Sequence, residues 1–229
     1  MSFDWITLWL PDLGAAALLF LVHAFYLPIS NWIFGDDISA RMRQWRSTWA
    51  RQALWRGERI TDVGLVRGLI AGVSFFATTS VLVISGLLAT LNSAQQISSY
   101  LGSVPFAAQT STEITSFKIG ALLLLAVSAF FKFGWSMRLH SYSLLMIGSM
   151  PEPDERQSEK ASAVADRLAN LSYLASKHFH SGVRAYYLGF SALTWILSVW
   201  LFLPVLVIVV GVMIRRDYRS AAFELSAPI

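Results

Sequence analysis

No cysteine occurs among the 229 residues of this chain, which excludes disulfides, thiolate metal sites and cysteine nucleophiles. Charge is scarce as well: Asp, Glu, Lys and Arg together make up 14%, against about a quarter in soluble domains. The opening MSFDWITLWLPD has neither Lys nor Arg and no small-residue cleavage motif, so the first apolar segment is expected to be retained. The longest apolar runs carry no Asp or Glu. Proton relays, most cation-coupled carriers and carboxylate di-metal centres need acids at depth, so none of these is expected. Phosphate-cradling glycine loops, zinc-protease spacing and serine elbows are missing too.

What is there is apolar. Hydrophobic residues make up 55%, with nine Trp and a mean hydropathy of +0.53. Crossing a hydrocarbon layer takes about 20 apolar residues, and the pattern predicts spans at residues 13–34, 66–91, 117–135 and 187–214. The expected fold is all-α: an integral membrane helical bundle with four transmembrane helices and two amphipathic cytoplasmic helices, forming a single membrane domain over residues 1–229.

Lys and Arg placement predicts orientation. The first connection and the start of the second span carry Arg41, Arg43, Arg46, Arg51, Arg56, Arg59 and Arg67. The last connection carries Arg156, Lys160, Arg167, Lys177 and Arg184, whereas the middle one offers only Lys118. Residues 35–65 and 136–186 are therefore expected in the cytoplasm and 92–116 outside, in a multi-pass protein of the cell (cytoplasmic or inner) membrane. The terminal RRDYRS does not fit, because it puts Arg215, Arg216 and Arg219 on the side that should be poor in cations. The rival topology is a re-entrant fourth segment, bent at Pro204, that returns Arg215 to the cytoplasm.

Between the first two spans, Ile38, Met42, Trp45 and Trp49 recur at helical spacing. This Trp stripe beside Arg fits a helix lying in the headgroup layer, or one packed on its own bundle. After PEPDERQSEK, Val164, Leu168, Leu171 and Ala175 form a narrow stripe suited to docking, with Ser181 and Gly182 expected to end that helix. Gly64, Gly68 and Gly72 repeat every fourth residue, a packing stripe for another backbone. Thr78, Thr79 and Ser80 fall at mid-depth, where hydroxyls usually bond their own helix.

The stretch FFKFGWSMRLHSY follows an apolar run yet holds Lys132, Arg138 and His140. Measured from Phe117 at 1.5 Å per residue, Lys132 lies about 22 Å and Arg138 about 31 Å along the helix. Arg138 and His140 thus reach headgroup level, with Lys132 within snorkelling reach. Six residues separate Lys132 from Arg138, about 240° of rotation. The expected arrangement is an interfacial basic belt anchored by Trp135; in the alternative, one of the two points inward and needs a counter-charge: Asp36, Asp62, a carbonyl or a bound anion. Haem ligation by His23 and His140 is disfavoured by their unequal depths, and no cofactor or metal is expected. His178 and His180 stand two residues apart on different helix faces, a solvated arrangement rather than a metal pair.

The motifs RSTW at Arg46 to Trp49, RITD at Arg59 to Asp62, FFATTS at Phe75 to Ser80 followed by SGLLATL, FFKFGWSMR at Phe130 to Arg138, RAYY at Arg184 to Tyr187 and the terminal RRDYRS resemble, in order, the domain of unknown function family 599. The resemblance implies a bacterial polytopic membrane protein with plant relatives and carries no activity. It also marks the arginines beside aromatics, Arg46, Arg59, Arg138 and Arg184, as the positions of interest, and cytoplasmic placement would gather all four at one face.

The expected function is that of a non-enzymatic subunit of a homo- or hetero-oligomeric membrane assembly. Its Arg-rich cytoplasmic face, with Arg46, Arg59, Lys132, Arg138 and Arg184 as candidates, would bind anionic lipid or a partner, whether a second copy or another membrane protein. Nucleic acid is not an expected partner, since membrane proximity explains the basic residues. The alternative is a channel or transporter for a small anion, in which Lys132 would share a wet cavity with Thr78 and Thr79. A lipid-acting membrane enzyme is more distant.

Overall fold

The computed structural model describes residues 4–103, 108 and 110–227. Among these the chain forms helices only. In order they are α1 (Asp4–Phe34), α2 (Ile38–Trp55), α3 (Ile60–Asn92), α4 (Ala94–Leu101), α5 (Thr112–Gly148), a 3-10 turn (Pro153–Glu155), α6 (Glu159–Leu197), α7 (Val199–Tyr218) and α8 (Ala221–Leu225). Stretches of α1, α3 and α5, and one running from α7 into α8, are long and apolar enough to cross a membrane: Trp9–Phe34, Ile60–Asn92, Thr112–Gly148 and Val199–Leu225.

The start of α2 follows from local chemistry. Gly35, at a φ of +82° that side chains resist, ends α1. Asp37 then accepts the Ala40 amide at 2.9 Å as the N-cap of α2.

Where a single domain was expected, contacts divide the chain into two compact units. Unit 1 comprises residues 1–33, 79–129 and 183–214, and unit 2 comprises 34–78, 130–182 and 215–229. The division follows from helix length: α3, α5 and α6 have 33, 37 and 39 residues, well beyond the roughly 20 needed to span, and each contributes a stretch to both units. Unit 1 buries Leu19, Ile119, Leu125, Leu188, Trp195 and Phe202. In unit 2, Ala161, Ala165 and Leu168 of α6 pack with Ala50 and Ala53 of α2 and Val66 of α3. The stripe at Val164 and Leu168 therefore docks, largely through alanines that allow close approach.

Two expectations about the last third of the chain need correction. Ser181 and Gly182 end no helix, since α6 runs through both. A Cβ at Gly182 would lie 2.6 Å from the Phe133 ring, so this glycine serves close packing rather than a break. Nor do residues 187–214 form one crossing: the helix stops at Leu197 and restarts at Val199. Ser198 marks the turn, its Oγ accepting the Trp200 amide at 3.2 Å, while Pro204 lies inside α7. Because α6 begins in unit 2 and ends in unit 1, and α7 begins in unit 1 and ends in unit 2, the chain turns back at Ser198. In unit 2, Arg41 of α2 stacks on Phe223 at 3.6 Å and Trp45 donates to the Ser226 carbonyl at 3.2 Å. The C-terminal segment therefore shares its unit with α2. The break in the 187–214 segment therefore lies at Ser198, not at Pro204, where the rival topology put its bend.

Candidate functional site

The arginines singled out by the sequence have different fates. Arg59 donates to the carbonyls of Ala53 at 3.5 Å, Met150 at 3.3 Å and Pro151 at 2.8 Å. Carbonyls in the last turn of a helix have no intrahelical partner, so Arg59 ties the end of α2 to the segment after α5. Arg138 is exposed on α5, and Lys132 is half-buried on the same helix with its charge bearing on His178. Arg184 lies in unit 1, buried, 5.8 Å from the Tyr26 ring. Arg46, Arg59 and Arg138 belong to unit 2. Asp62, considered as a counter-charge for Lys132 or Arg138, is instead buried against Arg56 and accepts the Trp49 indole N–H at 2.8 Å.

Arg46 faces a cavity of about 240 Å³ within unit 2, together with His140, Ser176, His180, Gly68 and Gly72. Leu69, Val73 and Phe179 supply its apolar wall. Three helices aim polar groups at it. From α2, Arg46 donates through Nη1 to Ser172 Oγ at 2.8 Å, while its Nε is buried and makes no hydrogen bond among the described residues. Burial holds this guanidinium below its ordinary pKa. From α5, His140 is 3% exposed, and its Nδ1 likewise has no hydrogen-bond partner.

From α6, His180 Nδ1 lies 2.9 Å from the Ser176 carbonyl and 3.3 Å from the Ser39 and Ser176 hydroxyls. Because the carbonyl can only accept, this nitrogen carries the hydrogen. His180 is therefore half-buried and bonded, not solvated. His178 faces elsewhere, its ring edge-on to Trp135 at 6.4 Å. Gly68 and Gly72 leave the α3 wall open: a Cβ at either, or at Gly64, would meet nothing within 4 Å. Among the described residues no Asp or Glu lines the cavity. It can offer hydrogens to an anion and has no carboxylate with which to hold a cation.

Unit 1 holds two further features. A cavity of about 220 Å³ beside Thr79 and Tyr186 is otherwise walled by apolar side chains such as Leu87, Leu125 and Phe190, and Lys132 is not among its residues. Asp12, Lys118 and Trp195 form a buried cluster, with Lys118 Nζ 3.2 Å and Trp195 Nε1 2.7 Å from Asp12 Oδ1. Asp12 lies inside the first apolar helix. Asp12 therefore belongs to the first candidate span, near its start and one residue before the run in which no acid was expected. Lys118, expected in an external connection, is buried. His23, weighed as a haem ligand, meets Ser128 Oγ at 3.1 Å.

The sequence pointed to Arg46 and missed the cavity around it. The only signal was the pairing of Arg46 and His140 with glycines on a neighbouring helix, residues too distant in the chain for spacing to connect. Comparisons with curated proteins and with solved structures find no match. The family described as "Protein of unknown function, DUF599" matches residues 14–222, nearly the whole chain, and the chain belongs to that family.

Proposed function

We propose that this chain is a non-enzymatic subunit of a membrane assembly whose cationic unit 2 faces the cytoplasm and recognises anionic lipid headgroups. Charge segregation carries this reading: 16 of the 18 Lys and Arg fall in unit 2, against 11 of the 14 acids. Retention of cations on the cytoplasmic side orients helical membrane proteins, and a cationic surface there meets anionic leaflet lipids, at about 1 kcal/mol per basic residue. Some of these arginines are held by protein contacts, as Arg41 is on Phe223 and Arg59 on carbonyls. A small-anion pathway through Thr79 has less support, because the cavity there is largely apolar and does not include Lys132.

The test is native mass spectrometry of the full chain released from mild detergent. Anionic phosphatidylglycerol should be retained in preference to phosphatidylcholine, and the copy number should exceed one. A lipid-free monomer indifferent to headgroup charge would refute the reading.

A further inference from the structure

Resting on the reading that unit 2 recognises anionic groups, we propose that the cavity between Arg46, His140, Ser176 and His180 binds one phosphate oxyanion, carried on a lipid headgroup or free in solution. Buried polar atoms are nearly always hydrogen-bonded, and an unpaired one costs about 1–3 kcal/mol. Two residues that each carry such an atom, Arg46 at Nε and His140 at Nδ1, line one cavity. An oxyanion held between the two side chains meets the guanidinium of Arg46 and, in one tautomer, an N–H of the His140 ring.

Charge selects the sign of that group. With a guanidinium present and no carboxylate in the lining, a metal ion would meet repulsion and lack a hard ligand. Shape selects the class. Donors come from Arg46 on α2, His140 on α5 and the Ser176 hydroxyl on α6, three helices whose groups the several oxygens of a tetrahedral oxyanion fill better than the two coplanar oxygens of a carboxylate, and charge-assisted bonds from Arg to phosphate are among the strong ones. At about 240 Å³ the cavity exceeds a single ion, since one water's share of liquid volume is about 30 Å³. The wall of Leu69, Val73 and Phe179 accommodates the apolar start of a lipid. Gly68 and Gly72 keep that space free, because any side chain there would project into it.

The test uses the full-length protein, purified in mild detergent and delipidated, with binding followed by native mass spectrometry and calorimetry. Four probes are titrated: inorganic phosphate, phosphatidylglycerol, phosphatidylcholine and oleate. The expected result is one phosphatidylglycerol or one phosphate per chain, weakened at least tenfold by Arg46→Gln and by Gly72→Leu and less than twofold by Arg51→Gln. Arg51 is an exposed residue of the same helix, paired with Asp166. Phosphatidylglycerol binding that free phosphate does not displace assigns the site to a lipid; displacement assigns it to the phosphate group alone.

Gly72→Leu fills the cavity without removing a charge, so it decides the matter if Arg46→Gln fails to fold. Phosphatidylglycerol retained equally by all variants would overturn the cavity as the site while leaving the broader reading intact. Oleate binding as tightly as the phosphate probes would overturn the phosphate assignment. If the wild-type chain retains neither phosphatidylglycerol nor phosphate, both readings fall.

Discussion

The buried cluster of Asp12, Lys118 and Trp195 supports a quantitative prediction. Asp12 and Lys118 are 5% and 1% exposed, with Nζ and Oδ1 3.2 Å apart, and Trp195 donates to the same carboxylate oxygen at 2.7 Å. Removing one partner of a buried ion pair strands the other charge and costs about 3–5 kcal/mol, whereas replacing both by groups of similar size is nearly neutral. Lys118→Met leaves the carboxylate with only the indole N–H, and Asp12→Asn leaves the ammonium without a counter-charge. In the double variant the asparagine carbonyl still accepts from Trp195 and the methionine fills the lysine's volume. For a chain of this size 1 kcal/mol is worth about 2–4 °C in Tm. Each single variant should therefore melt roughly 6–20 °C below wild type in detergent, and the double variant within about 4 °C of it. Thermal unfolding of the four proteins, followed by Trp fluorescence, completes the cycle. Additive losses in the double variant would show that the two charges do not depend on each other.

Two further outcomes follow from the packing and the chain path. Gly182→Ala forces a Cβ to within 2.6 Å of the buried Phe133 ring, which is also held by Phe76 and Phe179 at 5.4 and 5.9 Å. It should lower stability by about 1–3 kcal/mol, with Phe133→Leu restoring part of the loss in the same background; a variant that melts like wild type would show that the ring moves aside freely. Side-specific reporters placed at the C-terminus and, separately, at Gly57 between α2 and α3 should report the same side of the membrane, because Phe223 and Ser226 contact α2. Opposite sides would contradict the turn at Ser198.

Where an element is fixed by its own residues, the sequence was readable. The helical stripe of α2, the apolar runs of the first three spans and the stripe at Val164 and Leu168 of α6 all depend on neighbours within a few turns. The candidate site depends on residues far apart in the chain. Arg46 was legible as an arginine beside aromatics, but its partners His140, Ser176 and His180 come from two other helices, and nothing in their spacing brings them together. Asp12 was placed just outside the first span, and only the depth of Lys118 and Trp195 in the packed unit shows that it lies within.

The turn at Ser198 was hidden for a different reason. Neither Gly nor Pro marks it, and Ser in an apolar run reads as one more hydroxyl bonding its own helix, although Ser198 also caps the helix that follows. Two indirect signs were present: the run from 187 to 214 was longer than one crossing requires, and RRDYRS placed three arginines on the side expected to be poor in them. A returning chain removes both difficulties, since residues 215–229 join the unit that already holds α2 and the first half of α6. Lys118 and Arg184 are then the only cations in unit 1; Lys118 is neutralised by Asp12, and Arg184 is buried beside Tyr26. An apparent exception to charge asymmetry was in fact evidence for one more reversal of the chain.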